Sequence, residues 1–184
     1  MPNIRKSRVW LWCLLAGLVF TTAGAVANEC GRGFAAPPAQ DFNQGRWTVH
    51  GDGTLSDAFT NLMWKQCAEG SDGAQCRQGR PATFNWPQAQ ARAAASTFAG
   101  HTDWRVPTGE ELTSLLQPGC FMPALNLAWF PNTPSSWFWF QSPEADHTER
   151  AGQLSFAFGQ MFSVNQRNPA HLRLVRDLPA PEQP

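Results

Sequence analysis

Gly100-His101-Thr102-Asp103-Trp104-Arg105-Val106-Pro107-Thr108-Gly109-Glu110-Glu111 holds the start of a helix and the groups that fix it. Thr108 is followed three residues later by Glu111, the capping-box spacing in which a hydroxyl and a carboxylate satisfy backbone donors that the first turn leaves unpaired. Leu112, Leu115 and Leu116 then supply one apolar face until Pro118-Gly119 stops the helix. Pro107, with its fixed φ, sets the approach to the cap. Trp104 is expected to plug the core, and Arg105 to be a partly buried donor fork on loop carbonyls or a carboxylate. An anion contact is the functional alternative for Arg105, and the structural punctuation on both sides of it weighs against that role.

On the N-terminal side, Asn85 with Gln88 three residues on predicts another capped helix, from Trp86 to about Phe98, with Pro87 tolerated in its first turn. Before it, Trp47 to His50, Thr54 to Asp57 and Leu62 to Lys65 read as short strands divided by Gly51-Asp52-Gly53 and Thr60-Asn61. Asp52 in its glycine turn reads as an Asx turn, with calcium ligation as the sharper alternative. On the C-terminal side, Trp137 to Gln141, Leu154 to Phe158, Met161 to Asn165 and His171 to Arg176 are expected strands, the last with Leu172 and Leu174 alternating against polar neighbours. Strands, helix, helix, strands is the order of an α+β domain with two helices and short antiparallel sheets.

The chain has 184 residues. Met1 to Arg8 is basic, Val9 to Phe20 is apolar, and Ala25-Val26-Ala27 supplies small residues, which predicts a signal peptide over residues 1–27 with cleavage before Asn28. The apolar run is too short for an uncleaved anchor, so no stable membrane insertion is expected after cleavage. Residues 28–45, with Pro37-Pro38, read as an extended lead-in; residues 46–177 form the domain; residues 178–184, with three Pro, read as a disordered tail. Past residue 27 the chain carries 11 basic and 14 acidic residues, a net charge of 11 − 14 = −3, which disfavours nucleic acid as a partner.

Cys13 leaves with the leader, so Cys30, Cys67, Cys76 and Cys120 form an even set in an oxidising compartment, and two disulfides are expected. The polar, glycine-containing insert between Cys67 and Cys76 turns back on itself, which pairs those two and leaves Cys30 with Cys120. The second bridge closes a loop of about 90 residues, worth about 4 kcal/mol in a chain-entropy estimate. A zinc site is weakly signalled, because there is no Cys-x-x-Cys and the four His are scattered. The sequence has no Gly-x-Ser-x-Gly, His-Glu-x-x-His or nucleotide-binding loop. The Glu110-Glu111 pair is absorbed by the cap and by the helix dipole. No enzymatic activity, cofactor or metal is therefore expected.

Four ordered blocks resemble the Lcl C-terminal domain family: Asp52-Gly53-Thr54-Leu55-Ser56-Asp57, Thr60-Asn61-Leu62-Met63-Trp64, Gly100 to Pro107, and Phe130-Pro131-Asn132-Thr133-Pro134-Ser135-Ser136. Leu172 to Arg176 is similar to the family's usual last strand, so the resemblance covers about residues 46–176. The Trp-Arg-Val-Pro-Thr element is also similar to one in formylglycine-generating-enzyme domains, which implies a C-type-lectin-like fold and not that activity; with the two bridges expected from the cysteine count, the domain is disulfide-stapled. Trp64, Trp104, Arg105, Pro107, Thr108 and Glu111 are structural residues on this reading.

The distinguishing segment is Trp129 to Phe140, dense in aromatics. Alternation along a strand puts Trp137 and Trp139 on one face and Phe138 and Phe140 on the other. Either the strand is buried on both faces, or one face opens as an aromatic platform for a sugar ring or a hydrophobic partner. Asp146, His147, Glu149 and Arg150 in the following loop would then supply a polar rim. The expected function is a secreted or periplasmic, non-catalytic domain recognising a glycan or a protein at the bacterial cell envelope. The alternative is a structural subunit of an envelope or pilus-like assembly.

Overall fold

Residues 45–142 and 149–179 are described by the computed structural model of the protein. In chain order the strands are β1 (Trp47–Val49), β2 (Thr54–Asp57), β3 (Leu62–Lys65), β4 (Ser71–Asp72), β5 (Gln78–Gly79) and β6 (Thr83–Phe84). Helices α1 (Trp86–Ala94) and α2 (Gly109–Thr113) follow, and then β7 (Trp137–Phe140), β8 (Arg150–Ser155), β9 (Gln160–Asn165), β10 (Ala170–His171) and β11 (Val175–Asp177). The described residues are α+β, with two α-helices, mostly antiparallel sheets and a disulfide between Cys67 and Cys76 whose Cα atoms lie 5.3 Å apart.

The first three strands form a meander because their turns carry the chemistry that reverses the chain. Asp52 Oδ1 accepts from the Thr54 N–H at 2.9 Å and the Thr54 hydroxyl at 2.6 Å, the Asx turn of that segment. Asn61 takes the left-handed conformation between β2 and β3. β11 returns to pair with β3, giving the order β1-β2-β3-β11, so the two ends of the domain lie in one sheet. The second sheet has the order β6-β10-β7-β8-β9, with β7 in its centre and β9 at its edge. Its β10–β7 pair is parallel, a departure from the wholly antiparallel expectation.

Both capping boxes form, with Asn85–Gln88 and Thr108–Glu111 exchanging bonds. The helices are shorter than their sequence patterns suggest. α1 stops at Ala94 rather than Phe98, because Ser96 Oγ accepts from the Phe98 N–H and the Phe98 carbonyl accepts from the Trp104 indole. α2 makes little more than one turn before Leu115 and Leu116 continue in tighter turns.

The expected strand from His171 to Arg176 is divided. Leu172, Arg173 and Leu174 are all fully buried, and the carbonyls of Leu172 and Leu174 accept from the N–H groups of Glu69, in the turn after β3, and of Lys65, at the end of β3 in the other sheet. The segment therefore crosses from one sheet to the other instead of alternating along a single ladder. The expected strand from Leu154 is displaced toward its N-terminus, with Phe156 in the core and Phe158 exposed in the turn before β9. Leu178, placed in the tail by composition, is ordered: its N–H bonds the Asn61 carbonyl at 3.0 Å and its own carbonyl accepts from Asn61 Nδ2 at 3.2 Å.

The core lies on both sides of β7. Phe138 faces a cluster with Leu55, Trp64, Leu112, Phe130 and Phe156, and Trp139 faces one with Trp86, Ala89, Trp104, Leu172 and Leu174. A strand with hydrophobic side chains on both faces is what a central, doubly covered position requires.

Candidate functional site

The four aromatics of β7 are disposed unequally. Trp139 is 0% exposed, packs edge-on against Trp86 with centroids 5.5 Å apart, and donates its indole N–H to the Phe84 carbonyl at 2.7 Å. This corrects the expectation that Trp139 belongs to a binding surface: α1 supplies the lid that covers it. Trp137 is half-buried and packs edge-on against Phe162 of β9, centroids 5.5 Å apart. The two indoles thus share a strand side but form no common open platform.

Phe140, at the end of β7, is the aromatic that reaches a cleft. Opposite it in register on β8 stands Gly152, and Gly109 opens α2 beside it. A Cβ at Gly152 would lie 2.1 Å from the Phe140 ring, and one at Gly109 would lie 3.1 Å from it. Two side-chain-free positions therefore let the ring lie directly on backbone. Beyond it is a cleft of about 580 Å³ lined by Thr108, Gly109, Glu110, Phe140, Gln141 and Met161, together with Ser142. The Gln141 N–H bonds the Pro107 carbonyl at 2.7 Å, which ties the end of β7 to the start of α2 and fixes the cleft's width. Met161 is 51% exposed, and its sulfur is 3.5 Å from the Thr113 hydroxyl.

Of the expected rim, Asp146 and His147 lie outside the described residues. Glu149 is exposed, and its carbonyl accepts from the Gln166 N–H. Arg150 lies across the sheet edge, its guanidinium donating to the Ser163 hydroxyl and carbonyl. The described members of the rim are therefore engaged with β9 and the residues just after it.

The Trp104-to-Glu111 stretch is a structural clamp. Trp104 is buried and bonds Phe98. Arg105 donates Nη1 to Glu111 Oε2 at 2.7 Å and Nη2 to Glu111 Oε1 at 2.8 Å, and Nη2 also reaches Asp177 Oδ1 at 2.9 Å. Burial alone would raise the Glu111 pKa, but the bonds from Arg105 and the Thr108 N–H and the Arg105 charge outweigh it and hold the carboxyl below its ordinary range. Burial also pushes the His171 pKa down, opposed by the hydrogen bond to the Ala82 carbonyl.

A buried charged group escaped the sequence reading. Lys65 Nζ lies 2.8 Å from Glu69 Oε1, and Arg92 Nε lies 2.6 Å from Glu69 Oε2. Near it, Arg173 is 0% exposed; it donates to the Lys65 and Gln66 carbonyls and to the Thr133 hydroxyl, and its guanidinium carbon stands 4.7 Å from the Phe130 centroid. Burial pushes its pKa down to about 9, partly offset by the Glu69 charge, so it stays cationic at neutral pH. Period-two alternation would have sent Arg173 outward. The available signal was that Leu172-Arg173-Leu174 carries a charge between two core leucines.

A second cleft, of about 300 Å³, lies between Trp47 and Trp129 and the turns around Leu116 and Pro118. Arg46 closes one side, bonded to Asp57 at 2.9 and 2.6 Å and to the Ser114 carbonyl at 3.0 Å, with its guanidinium 4.4 Å from the Trp47 centroid.

The family model of the Lcl C-terminal domain matches residues 53–176. The chain belongs to the Lcl C-terminal domain family. No curated protein matches the chain. The Lcl C-terminal domain match spans every residue that lines the Phe140 cleft, from Thr108 to Met161, whereas Arg46 and Trp47 of the second cleft precede it. Among the described residues of the Lcl C-terminal domain no group of three or more His, Cys, Asp or Glu is placed to hold a metal ion, and no helix is long and apolar enough to cross a membrane.

Proposed function

We propose that the protein is an exported, non-catalytic binding domain of C-type-lectin-like fold that recognises a glycan or a protein segment at the bacterial cell envelope. The basic, apolar and small-residue order of residues 1–27 supports export, and the Cys67–Cys76 disulfide is compatible with it. The return of β11 beside β3, which brings the domain's ends together, supports the lectin-like reading.

The observation that carries the binding role is the Phe140 ring, seated on Gly109 and Gly152 at the floor of a 580 Å³ cleft. A ring backed by glycine backbone offers its other face with little side-chain entropy left to lose on binding. Glu110, Gln141 and Thr108 around it supply donors and acceptors for hydroxyls or peptide groups, the mix of apolar floor and few polar groups typical of ligand sites. A glycan array probed with the chain, followed by calorimetry of the hits, tests this. Phe140→Ala and Glu110→Gln should each weaken a hit at least tenfold at temperatures where the variants are folded, with Glu110→Gln leaving the melting temperature within a few degrees. Hits that bind both folded variants as well as the unaltered chain refute the Phe140 cleft as the site.

An assembly subunit is the second reading, favoured by β9: it is a sheet edge with Met161 and Phe162 51% and 52% exposed. Natural edges are usually protected by charge, Pro or a bulge, and Gln160–Asn165 contains no charged residue and no Pro. Sedimentation at micromolar concentration separates the two, a monomer favouring ligand binding and multimers favouring assembly.

A further inference from the structure

Among the described residues that line the Phe140 cleft, Glu110 alone carries a formal charge. Its carboxylate is exposed and has no hydrogen bond or ion pair among the described residues, unlike that of its neighbour Glu111, which the cap and Arg105 occupy. Arg105 and Arg150 do not neutralise Glu110. Arg105 holds Glu111 and Asp177, and Arg150 donates to the Ser163 hydroxyl and carbonyl. An anionic ligand in the cleft would therefore meet only a like charge, whereas a cation would meet an uncompensated carboxylate beside an aromatic ring.

From this charge we infer that the ligand of the Phe140 cleft is a protein segment that inserts a Lys or Arg side chain, with the cationic head at the Glu110 carboxylate and the aliphatic stem along Phe140 and Met161. The inference rests on the Phe140 cleft being the binding site. Lys and Arg side chains lay apolar stems along apolar surface and keep their heads in water. The cleft offers matching groups: a ring and a thioether for the stem, and an exposed carboxylate for the head. The faces of an aromatic ring are negative, so Phe140 adds an attraction for a cation that a neutral ligand does not gain. Because Glu110 meets solvent, the incoming charge is not taken fully out of water, and most of the desolvation cost of a buried ion pair is avoided.

A protein segment, rather than a free amine, is favoured by the wall that Met161 provides. Met161 belongs to β9, and among the described residues no strand pairs with the outer side of β9. Phe140 stands opposite Gly152, and Gly152 opposite Ser163, so alternation along β9 places Met161 and Ser163 on the sheet face that holds Phe140. A segment extended beside β9 would present every second side chain to that same face, so backbone pairing and the insertion of one cationic side chain are compatible. Arg150 occupies the Ser163 carbonyl, which leaves the Met161 end of the strand, the end that lines the cleft, for such pairing.

The test adds short blocked peptides, mostly threonine and valine with arginine, citrulline or glutamate at the centre, and separately a neutral disaccharide, to the chain with isotope-labelled methionine methyls and glycine amides. The arginine peptide should shift the Met161 methyl and Gly152 amide signals and bind at least tenfold more tightly than the citrulline peptide, which has a similar shape without the charge. The methyl of buried Met63, unshifted, is the control for folding. Glu110→Gln should remove the tenfold preference, and Glu110→Lys should transfer it to the glutamate peptide. A preference for arginine that survives Glu110→Gln overturns the inference. So does an arginine peptide that binds no better than the citrulline peptide or the disaccharide while these move the same signals, a result that leaves the cleft standing as the site of a neutral ligand. Signals that no probe moves overturn it too, and a glycan hit insensitive to Phe140→Ala would then remove the cleft itself as the binding site.

Discussion

Arg105 and Glu111 are joined by two parallel hydrogen bonds of 2.7 and 2.8 Å, and the same Glu111 carboxylate accepts the Thr108 N–H at 2.8 Å. One carboxylate thus closes the capping box of α2 and anchors the guanidinium that also reaches Asp177 of β11. The Arg105 backbone bonds Val175 in both directions, at 2.9 and 3.1 Å. A helix start and the last strand are therefore held in register through two side chains six residues apart. Such a fork suits Arg, whose donors match a carboxylate in a plane.

Glu111 should make stability fall in acid. Its folded pKa is depressed below the unfolded value, so its contribution is fully present above the ordinary carboxylate range and is lost as pH falls through the folded pKa. Glu111→Gln should lower unfolding stability at pH 7 by about 1.5–3 kcal/mol, the usual worth of hydrogen bonds to a charged group. The gap between variant and wild type should narrow below pH 4. Urea midpoints measured at pH 7 and pH 3.5 check this; a constant gap would show that the carboxylate's charge is not the stabilising feature.

Arg173→Lys should destabilise far more than a surface change of the same kind. The lysine keeps the charge but cannot give the planar set of donors that now serves the Lys65 and Gln66 carbonyls and the Thr133 hydroxyl. Each acceptor left buried and unpaired costs about 1–3 kcal/mol, so a loss of at least 2 kcal/mol is expected. Arg173→Met, which removes the buried charge as well, should be no worse than Arg173→Lys, because an apolar group of similar length incurs no charge desolvation. Denaturant unfolding of the two variants decides the order.

Gly152→Ala tests the seat of Phe140. The added methyl would fall 2.1 Å from the ring, closer than atoms approach, so the ring must leave its position over the glycines. Overpacking of this kind typically costs about 1–3 kcal/mol. Ligand binding at the cleft should be lost even at temperatures where the variant is folded. A crystal structure of Gly152→Ala with Phe140 unmoved would contradict the geometry.

The parts of the fold governed by neighbouring residues were legible in the sequence, and those governed by distant partners were not. Asn85–Gln88, Thr108–Glu111 and the Asp52 turn are closed by atoms within three residues of one another, and the first three strands fall where their turns put them. The extent of α1 depends on Trp104 drawing Phe98 away, a contact across six residues. Arg173 is inward because its acceptors lie 107 and 108 residues earlier, in a strand end that no local period encodes. The alternation in β7 correctly separates its two faces, yet which aromatic meets solvent depends on α1 covering Trp139 and on glycines at 109 and 152 clearing space for Phe140. Composition marks the segment as aromatic; how far each ring is buried is set by the packing of other elements.

Trp104→Ala should cost about 3–5 kcal/mol, the usual range for a buried aromatic truncated to alanine, and in a domain of ordinary stability that is a large share of the total. Trp104 is 3% exposed, packs with Phe98 at 6.2 Å between centroids and gives its indole N–H to the Phe98 carbonyl at 2.9 Å. Its loss both opens a cavity and frees the turn that ends α1, and the Phe98 ring lies 4.4 Å from Lys65 Nζ, so the disturbance reaches the Lys65–Glu69–Arg92 group as well. Phe162→Ala is the matched control: an aromatic truncated to the same residue, but 52% exposed on the edge strand, where most of its surface already meets water. Thermal melts should show the Trp104 variant lowered by at least 10 °C or unfolded, and the Phe162 variant lowered by only a few degrees. A Trp104 variant that melts with the Phe162 variant would mean that the plug between α1 and the last strand contributes no more than a surface contact.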